Sequence, residues 1–577
     1  MYSPVVDTPT AGSEFVVRGG TLVDGTGGPR RRADVAVRNG RIVGIGTRLR
    51  AGGREIDASG RVVAPGFVDV HTHYDAQVFW DPDLTPSSHH GVTTVVAGNC
   101  GFSIAPARPE GVELLARTLQ HVEDMNFDTL VSGVPWAEFR TFSQYLDAVE
   151  RRGVGLNYAC YVGHTAVRLY VMGDEAYVRP ATPTEIDRMQ AEVRDAMISG
   201  AIGFASSTAS THNGDGGRPV PSRVSDLHEL EHLLAPLGEL GRGVVSLLPG
   251  TQIPHNDMFR IQRSLGRPVT WTALVSSKGS TAHLEVTAAH ERAQAVGIDV
   301  RPQVSCRPIV FQVTMAEPFV FNTVPSFSRL MGTTLDERRA SYRDPEWRDE
   351  AWADMNRGAR SFVDWDTLRV AESDAHPELI GRRVLDIARE RAVRPLDVVL
   401  DLSLEERLAT RFWSEVANND PEVVGWLLRR DHVLLGLADS GAHVSQLCDA
   451  CFATDFLGSW IRDKELLPLE RAVQMLTGDP AAFFELTDRG TIELGKAADL
   501  VVFDPDSVAP GPLRRVRDFP ANGERLTADA PLGVDHVFVN GCAIRQDGRP
   551  VSDRATRPGT VLRGSEAPAI SGRGVDA

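Results

Sequence analysis

The chain has 577 residues, of which 42% are hydrophobic and 24% are charged, a composition typical of a soluble globular protein. Its formal net charge of −16 argues against nucleic acid or an anionic membrane as a partner, because both bind basic surfaces. We expect a small-molecule substrate, and the sequence leaves a homo-oligomer open. The N-terminus lacks the basic and apolar regions of a signal peptide, no apolar run of about 18 residues occurs, and the few cysteines do not indicate a disulfide scaffold, so we expect a cytoplasmic protein.

The first predicted elements are short β-strands in residues 14–62, where apolar and polar residues alternate between glycine and Asn-Gly turns. After Pro65 and Gly66 the pattern changes to apolar runs separated by amphipathic helical stretches, such as residues 183–199 and 225–240. Eight apolar runs occur, at residues 67–70, 92–98, 156–163, 201–206, 243–248, 268–275, 298–304 and 432–438. Eight strands alternating with helices predict an α/β fold, a (β/α)8 barrel of the TIM type, whose chemistry lies at the carboxyl ends of the strands.

The barrel is expected to span residues 63–486 and to carry an insertion at about residues 307–390. The stretch after the seventh strand is too long for one connection and contains several aromatic residues, which favours a lid subdomain over the barrel mouth. Strand-like sequence then returns, so residues 487–564 are predicted to complete a small β-sandwich domain begun by residues 1–62. Residues 565–577 are rich in Gly, Ser and Ala and are predicted to form a disordered tail.

Four potential metal ligands follow predicted barrel strands. His71 and His73 close the first strand, and the alternation of side chains along a strand lets both imidazoles reach one ion. Cys100 closes the second strand, and Asp439 closes the eighth, which lies beside the first in a closed barrel. Two histidines, a cysteine and an aspartate on neighbouring strand ends suit a divalent metal ion, and Zn²⁺ above all.

The segments PGFVDVHTH and GVTTVVAGNCG, and the C-terminal TGDPAAFFELTDRGTIELGKAADLVVFDPD, resemble the amidohydrolase superfamily over roughly residues 14–560. GNCG after HGVTTVV resembles, more narrowly, the D-aminoacylase (N-acyl-D-amino-acid deacylase) branch. The resemblance implies a metal-binding barrel with a composite β-domain that hydrolyses an amide bond with metal-activated water. The site residues implied by the resemblance are His71, His73 and Asp439 in one metal site, Cys100 as the bridging ligand and Lys278 on the substrate carboxylate.

The chain departs from this family at two strand ends. The family carries a histidine at the end of strand five and another at the end of strand six, whereas these strands end here in VSLLP and LVSS. The tyrosine that the family carries near strand seven is also absent from residues 298–307. We therefore expect at most one metal ion. His164, His255 and His283 are candidates for replacing the missing ligands, and His164, after strand three, is also a candidate for binding the substrate or polarising its carbonyl.

The function favoured by the sequence is a metal-dependent amidohydrolase that cleaves a C–N bond in an N-acyl amino acid or related amide, with Asp439 as general base. Hydrolysis of a cyclic amide, another metal-assisted reaction, and a binding protein with a decayed site are the alternatives. Residues 228–232 fit the HExxH pattern of zinc proteases, but the apolar stripe of this helix indicates that both histidines face solvent. Cys448 and Cys451 form a lone CxxC, for which packing is the simpler interpretation.

Overall fold

The strands of the protein follow the apolar runs and the turn-rich ends of the sequence. A computed structural model describes residues 14–50, 52–277, 279–357, 363–551 and 557–564. In chain order the strands are β1 (Phe15–Leu22), β2 (Arg31–Arg38), β3 (Arg41–Gly46), β4 (Arg54–Asp57), β5 (Val62–Pro65), β6 (Phe67–Asp69), β7 (Val92–Ala97), β8 (Asn157–Gly163), β9 (Gly203–Ser207), β10 (Val244–Leu248), β11 (Val269–Trp271), β12 (Val300–Val304), β13 (Ile309–Thr314), β14 (Arg369–Glu372), β15 (Arg411–Ala417), β16 (Leu434–Leu435), β17 (Leu500–Phe503), β18 (Arg514–Phe519), β19 (Gly523–Thr527), β20 (Val534–Val539), β21 (Cys542–Gln546) and β22 (Arg549–Pro550).

The helices occupy the amphipathic stretches between these strands. In chain order they are α1 (Tyr74–Gln77), α2 (Val112–Glu123), α3 (Phe127–Gly133), α4 (Phe142–Arg152), α5 (His164–Met172), α6 (Pro183–Ile198), α7 (Leu227–Leu240), α8 (His255–Leu265), α9 (Ala282–Gln294), α10 (Pro325–Ser328), α11 (Leu335–Arg343), α12 (Pro345–Asn356), α13 (Val384–Arg391), α14 (Pro395–Glu405), α15 (Pro421–Leu428), α16 (Phe452–Asp455), α17 (Leu469–Leu476) and α18 (Gly478–Phe483). Thr182 and Glu185 form a capping box at the start of α6, which explains why this predicted helix begins where it does.

Eight parallel strands form the sheet that carries the predicted chemistry. Their order is β6, β7, β8, β9, β10, β11, β12 and β16, which is also their order in the chain. The segments after the two edge strands meet, because Thr72 forms a parallel bridge with Ser440 and the His73 N–H donates to Ser440 O at 2.7 Å. The sheet therefore curls, in the manner of a TIM-type barrel, and brings the carboxyl ends of its first and last strands together.

A second sheet combines strands from both ends of the chain. Its order is β22, β21, β20, β17, β5, β1, β2 and β3, with β4 paired to β1. The junction is the antiparallel pair of β5 and β17. Phe15 and Phe538 stack at 4.8 Å in its core, so residues more than 500 positions apart share one hydrophobic cluster. The sheet agrees with the expected composite β-structure, while its boundaries as a separate domain stay a prediction.

A third sheet, of β13, β15 and β14, lies in the long connection between β12 and β16. It has a hydrophobic cluster of its own, in which Phe321, Phe327 and Tyr342 are fully buried. The sheet includes Arg411–Ala417 and thus extends beyond residue 390, where the sequence predicts the end of the insertion. The subdomain extends this far because β15 pairs with both β13 and β14. Pairing between strands that are distant in the chain is not visible in the sequence pattern. We call residues 309–417 the inserted subdomain.

Two further sequence expectations concern cysteines and membranes. All six cysteines are free thiols, and five of them, including Cys448 and Cys451, are buried. Within the part of the chain that the structure describes, no helix has both the length and the apolar character needed to cross a bilayer. The predicted tail, residues 565–577, lies outside the described residues.

Candidate metal centre

The four predicted ligands come together at the carboxyl ends of the parallel strands. His71 and His73 follow β6, Cys100 follows β7, and Asp439 follows β16. Because β6 and β16 are the two edges of the sheet that curls on itself, Asp439 lies beside the two histidines although more than 360 residues separate them in the chain. Convergence at the strand ends is the arrangement that parallel barrels use for their chemistry.

The distances between these side chains are those of a ligand cluster. The potential ligand atoms of His71, His73 and Cys100 all lie within 4.8 Å of one another. Cys100 Sγ is 3.6 Å from His71 Nε2. Asp439 Oδ1 is 2.9 Å from His71 Nε2 and 3.5 Å from His73 Nε2. Two imidazoles, a thiol and a carboxylate therefore face one small volume.

The two histidines are held differently on the side away from this volume. His71 Nδ1 lies 2.6 Å from Gln303 Oε1, at β12, and 3.2 Å from Thr272 Oγ1. The amide oxygen can only accept, so Nδ1 carries the proton and Nε2 is left as the ligand atom. Neither ring nitrogen of His73 has a hydrogen-bond partner among the described residues, although His73 is only 1% exposed.

These features fit a divalent metal ion. A fully buried imidazole without a hydrogen-bond partner is costly unless a ligand satisfies it, and His73 faces the other potential ligands. Sulfur, nitrogen and carboxylate oxygen together are the donor set that zinc prefers. His71, His73, Cys100 and Asp439 are therefore the residues that would hold such an ion.

The electrostatics of Asp439 and Cys100 also depend on this cluster. Burial alone would raise the pKa of Asp439, but the interactions of its carboxylate with the imidazoles of His71 and His73 outweigh burial and hold the pKa well below its usual range. Burial raises the pKa of the Cys100 thiol well above its ordinary value, and the carboxylates of Glu123 and Asp439 raise it further. A cation is the group that would convert this thiol to a thiolate.

Backbone geometry sets the direction of these two side chains. Cys100 and Asp439 both have left-handed backbone, with φ of 55° and 48°. Such conformations are uncommon outside glycine and concentrate at functional sites. Gly441 has φ of 93°, and a Cβ there would lie 2.7 Å from His73 O, so the loop after β16 can approach the histidine backbone only with glycine at this position.

Three functional candidates are missed by the sequence analysis. Glu123, the last residue of α2, is 3% exposed, with Oε1 3.6 Å from His73 Nδ1 and Oε2 3.8 Å from His443 Nε2. Burial raises the pKa of Glu123 well above its usual value, and the charges of Asp439 and Asp75 add to the rise. No local motif identifies Glu123. His443 lies only four residues after the predicted ligand Asp439, and this proximity in the sequence could have indicated a residue of the site.

His212 is the third of these candidates and lies in the loop after β9. Burial lowers the pKa of His212 to about 3, with smaller effects from the nearby His443 and His73. Its Nδ1 lies 2.7 Å from Ser207 Oγ, and its ring packs against Phe102. A neutral histidine therefore lies near the cluster, in the loop after the fourth barrel strand.

Of the two residues predicted to bind substrate, His164 and Lys278, the structure describes only His164. Both ring nitrogens of His164 are engaged, since Nδ1 lies 2.8 Å from Ser206 Oγ and Nε2 lies 2.9 Å from Glu229 Oε1. The residue is fully buried, so its contacts are those of a histidine in the barrel wall, and a role in substrate binding stays a prediction. Lys278 lies outside the described residues.

The remaining candidate histidines lie away from the cluster. His255 packs edge-on against Trp271, and His283 packs against Trp426. His228 and His232 of the HExxH pattern are exposed on α7, as the apolar stripe predicts. The described ends of β10 and β11 supply no histidine to the site, since these strands end at Leu248 and Trp271.

Comparison with known proteins adds the family context. A model of the amidohydrolase family matches residues 54–328 and 349–541. The D-aminoacylase of Alcaligenes xylosoxydans xylosoxydans is 31% identical over 548 residues, which cover 92% of this chain and 95% of that protein. The relative therefore matches most of the chain, and the family model includes the segments that carry His71, His73, Cys100 and Asp439.

Two solved structures show the same overall arrangement. A D-aminoacylase, studied for the functional role of its binuclear metal centre with one-metal activation and second-metal attenuation, has a TM-score of 0.66 and 30% identity over 96% of this chain and 100% of that one. The N-acyl-D-glutamate deacylase of Bordetella bronchiseptica, in complex with zinc and a phosphonate mimic of the tetrahedral intermediate, has a TM-score of 0.65 and 27% identity over 96% and 99% of the two chains.

Proposed function

The chain belongs to the amidohydrolase family, and on this premise we propose that it is a metal-dependent hydrolase of the amide bond in an N-acyl amino acid or a related amide. The observation that carries the proposal is the convergence of His71, His73, Cys100 and Asp439 on one volume at the strand ends. The substrate class is supported by the similar D-aminoacylase and N-acyl-D-glutamate deacylase, which together match almost the whole chain.

We assign to this site one divalent ion, most suitably Zn²⁺, held by His71, His73 and Asp439 with Cys100 as the sulfur ligand. When bound, such an ion lowers the pKa of water from 15.7 toward about 7 and polarises a carbonyl oxygen. A count of one is supported by the described ends of β10 and β11, which supply no imidazole for a second ion. Metal analysis of protein purified without chelator should give one ion per chain.

The protein's own groups supply positioning and proton transfer. The Asp439 carboxylate, beside both histidines, accepts the proton of the attacking water and returns it to the departing nitrogen. Gln303 fixes the ring of His71 so that Nε2 faces the cluster. The backbone of Ser440 accepts the His73 N–H at 2.7 Å and thereby holds the second histidine and the Asp439 loop in register.

Substrate recognition is assigned by resemblance and stays a proposal. Lys278 is proposed to hold the substrate carboxylate as a point charge. His164 is the other predicted contact, but its two engaged nitrogens favour support of the barrel wall. A cytoplasmic location and a homo-oligomer likewise stay predictions.

The function is tested by amine release from a matched panel of substrates. The protein is stripped of metal, reloaded with one equivalent of Zn²⁺, and assayed with N-acyl-D- and N-acyl-L-amino acids and with cyclic amides such as hydantoins. We expect release from an N-acyl amino acid that depends on the added metal. Turnover of the cyclic amides alone would favour the alternative hydrolase. Bound metal without turnover of any substrate would contradict the proposal and favour a binding protein.

A further inference from the structure

The two histidines of the cluster meet different partners on their outer sides. His71 Nδ1 is held by the neutral amide of Gln303 at 2.6 Å. His73 Nδ1 instead faces the carboxylate of Glu123, with Oε1 at 3.6 Å. His73 Nε2, the other ring nitrogen, faces Asp439. Glu123 therefore approaches His73 from the side of the ring that the metal cluster does not use.

The position of Glu123 is fixed by neighbours other than His73. It ends α2, and its main-chain oxygen accepts the His443 N–H at 2.5 Å. The His443 ring lies near its second carboxylate oxygen, with Nε2 at 3.8 Å from Oε2. The carboxylate thus lies between two imidazoles, only one of which belongs to the predicted ligand set.

His443 connects this carboxylate to the inserted subdomain. Its ring packs against Phe311 and Phe319, with centroids 5.1 Å and 5.0 Å away. Both phenylalanines belong to the subdomain, at β13 and shortly after it. A continuous set of contacts therefore runs from the subdomain through His443 and Glu123 to His73.

From these contacts we propose that Glu123 is a positioning residue for the metal site, which accepts the Nδ1–H of His73 and so directs Nε2 toward the ion. Metal-bound histidines commonly donate the other ring N–H to a carboxylate, which fixes the tautomer and strengthens the ligand. Among the described residues no group lies within hydrogen-bond distance of His73 Nδ1, and the Glu123 carboxylate, at 3.6 Å, is the acceptor that this nitrogen faces. The inference depends on the metal site of the proposed function, but not on its substrate.

The test compares Zn²⁺ affinity among variants of the full-length protein. Metal-free wild type, Glu123→Ala and Glu123→Gln are titrated in competition with a chromophoric chelator, and thermal unfolding of the metal-free proteins checks that each is folded. We expect Glu123→Ala to bind Zn²⁺ about 10–100-fold more weakly. Glu123→Gln should recover most of the affinity, because its amide oxygen can accept from His73 as that of Gln303 accepts from His71.

Asp124→Asn is the matched control. Asp124 is the neighbouring, half-buried carboxylate, but it accepts hydrogen bonds from Ser445 and not from a cluster histidine, so this change should leave the affinity unaltered. Wild-type affinity in Glu123→Ala would overturn the proposal. Equal losses in Glu123→Ala and Glu123→Gln would also overturn it, since a hydrogen-bond acceptor at this position would then not restore the affinity. Failure of the proposed function would give a different result: the variants would show the expected order of Zn²⁺ affinities, but the metal-loaded protein would hydrolyse no amide.

Discussion

Asp439 shows how much of the chemistry depends on one residue. Its Oδ1 lies 2.9 Å from His71 Nε2 and 3.5 Å from His73 Nε2, and its interactions with these imidazoles keep its pKa low despite burial. A carboxylate held ionised between two imidazoles can bind a cation and also take a proton that leaves a water molecule. Removal of the charge should therefore affect catalysis far more than folding.

We predict that Asp439→Asn lowers kcat by about 10²–10⁴-fold, the usual contribution of a general base, because the isosteric amide cannot accept the proton. The measurement is amine release from the best substrate of the panel, at saturating Zn²⁺ with the bound metal determined. Asp431→Asn, an exposed change at the base of the same strand, is the control and should retain activity. Full activity of the metal-loaded Asp439→Asn protein would exclude the mechanism.

The sequence predicts residues of the site to the extent that they follow strands. His71, His73, Cys100 and Asp439 were identified because each comes directly after an apolar run, and the structure brings all four together. Glu123 could not be identified in this way, because it ends a helix inside a long connection and only the folded chain places it at His73. The side chain of Gln303 lies within a predicted strand, where a buried polar residue has many possible partners.

At the scale of elements, the side-chain bonds between α5 and α7 account for the surroundings of His164 and of the HExxH segment. Glu229 of α7 bonds to both Arg168 and His164 of α5, and all three side chains are at most 2% exposed. Glu229 is the glutamate that follows the first histidine of the HExxH pattern, so this residue forms a buried ion pair while the two histidines of the pattern are exposed. The helical periodicity predicted α7 itself, but its charged partner is 61 residues away and was not predictable.

We predict that Glu229→Gln lowers the free energy of unfolding by about 3–5 kcal/mol, because the Arg168 guanidinium would remain buried without its carboxylate. Urea unfolding of the metal-free proteins measures the change. The control is Glu231→Gln on the same helix, since its pair with Arg260 is solvent-exposed and should contribute about 0–1 kcal/mol. Equal stabilities of the two variants would show that the buried pair contributes nothing to the fold.

The lengths of two barrel strands and the pairing within the inserted subdomain could not be predicted from the sequence. The sixth and eighth runs were predicted as eight and seven residues, but β11 and β16 contain three and two. Apolar residues beyond each strand continue into loops that are themselves buried, so hydrophobicity alone does not mark where the strand ends. For the inserted subdomain, the pairing of β15 with β13 joins segments about 100 residues apart, which no local pattern specifies.

At the scale of the whole molecule, the barrel sheet and the composite sheet are connected through Asn157. This fully buried residue begins β8, and its Nδ2 donates to Thr93 O at 3.0 Å and to Asp499 Oδ2 at 2.9 Å. Its Oδ1 accepts from Asn540 Nδ2 at 2.8 Å and from Thr560 Oγ1 at 3.1 Å. One amide therefore joins the parallel sheet to three segments of the C-terminal part.

The C-terminal segment reinforces this connection. Tyr158 N donates to Thr560 O at 2.9 Å, and Leu562 N donates to Tyr158 O at 2.8 Å, so the segment adds main-chain hydrogen bonds to β8. The turn-rich composition of both chain ends predicted that they would meet. It could not predict a docking site on the third barrel strand, because that site depends on side-chain hydrogen bonds across about 400 residues of sequence.

We predict that Asn157→Ala destabilises the protein by about 1–3 kcal/mol, because the buried Asp499 and the half-buried Asn540 would each lose a hydrogen bond across the junction of the two sheets. Since the amide joins both sheets, the urea midpoint should fall as a single transition followed by circular dichroism and by tryptophan fluorescence. The control is Asn356→Ala, at an exposed helix end, which should change the free energy by no more than about 0.5 kcal/mol. An unchanged midpoint in Asn157→Ala would mean that the two sheets are held together by their apolar contacts alone.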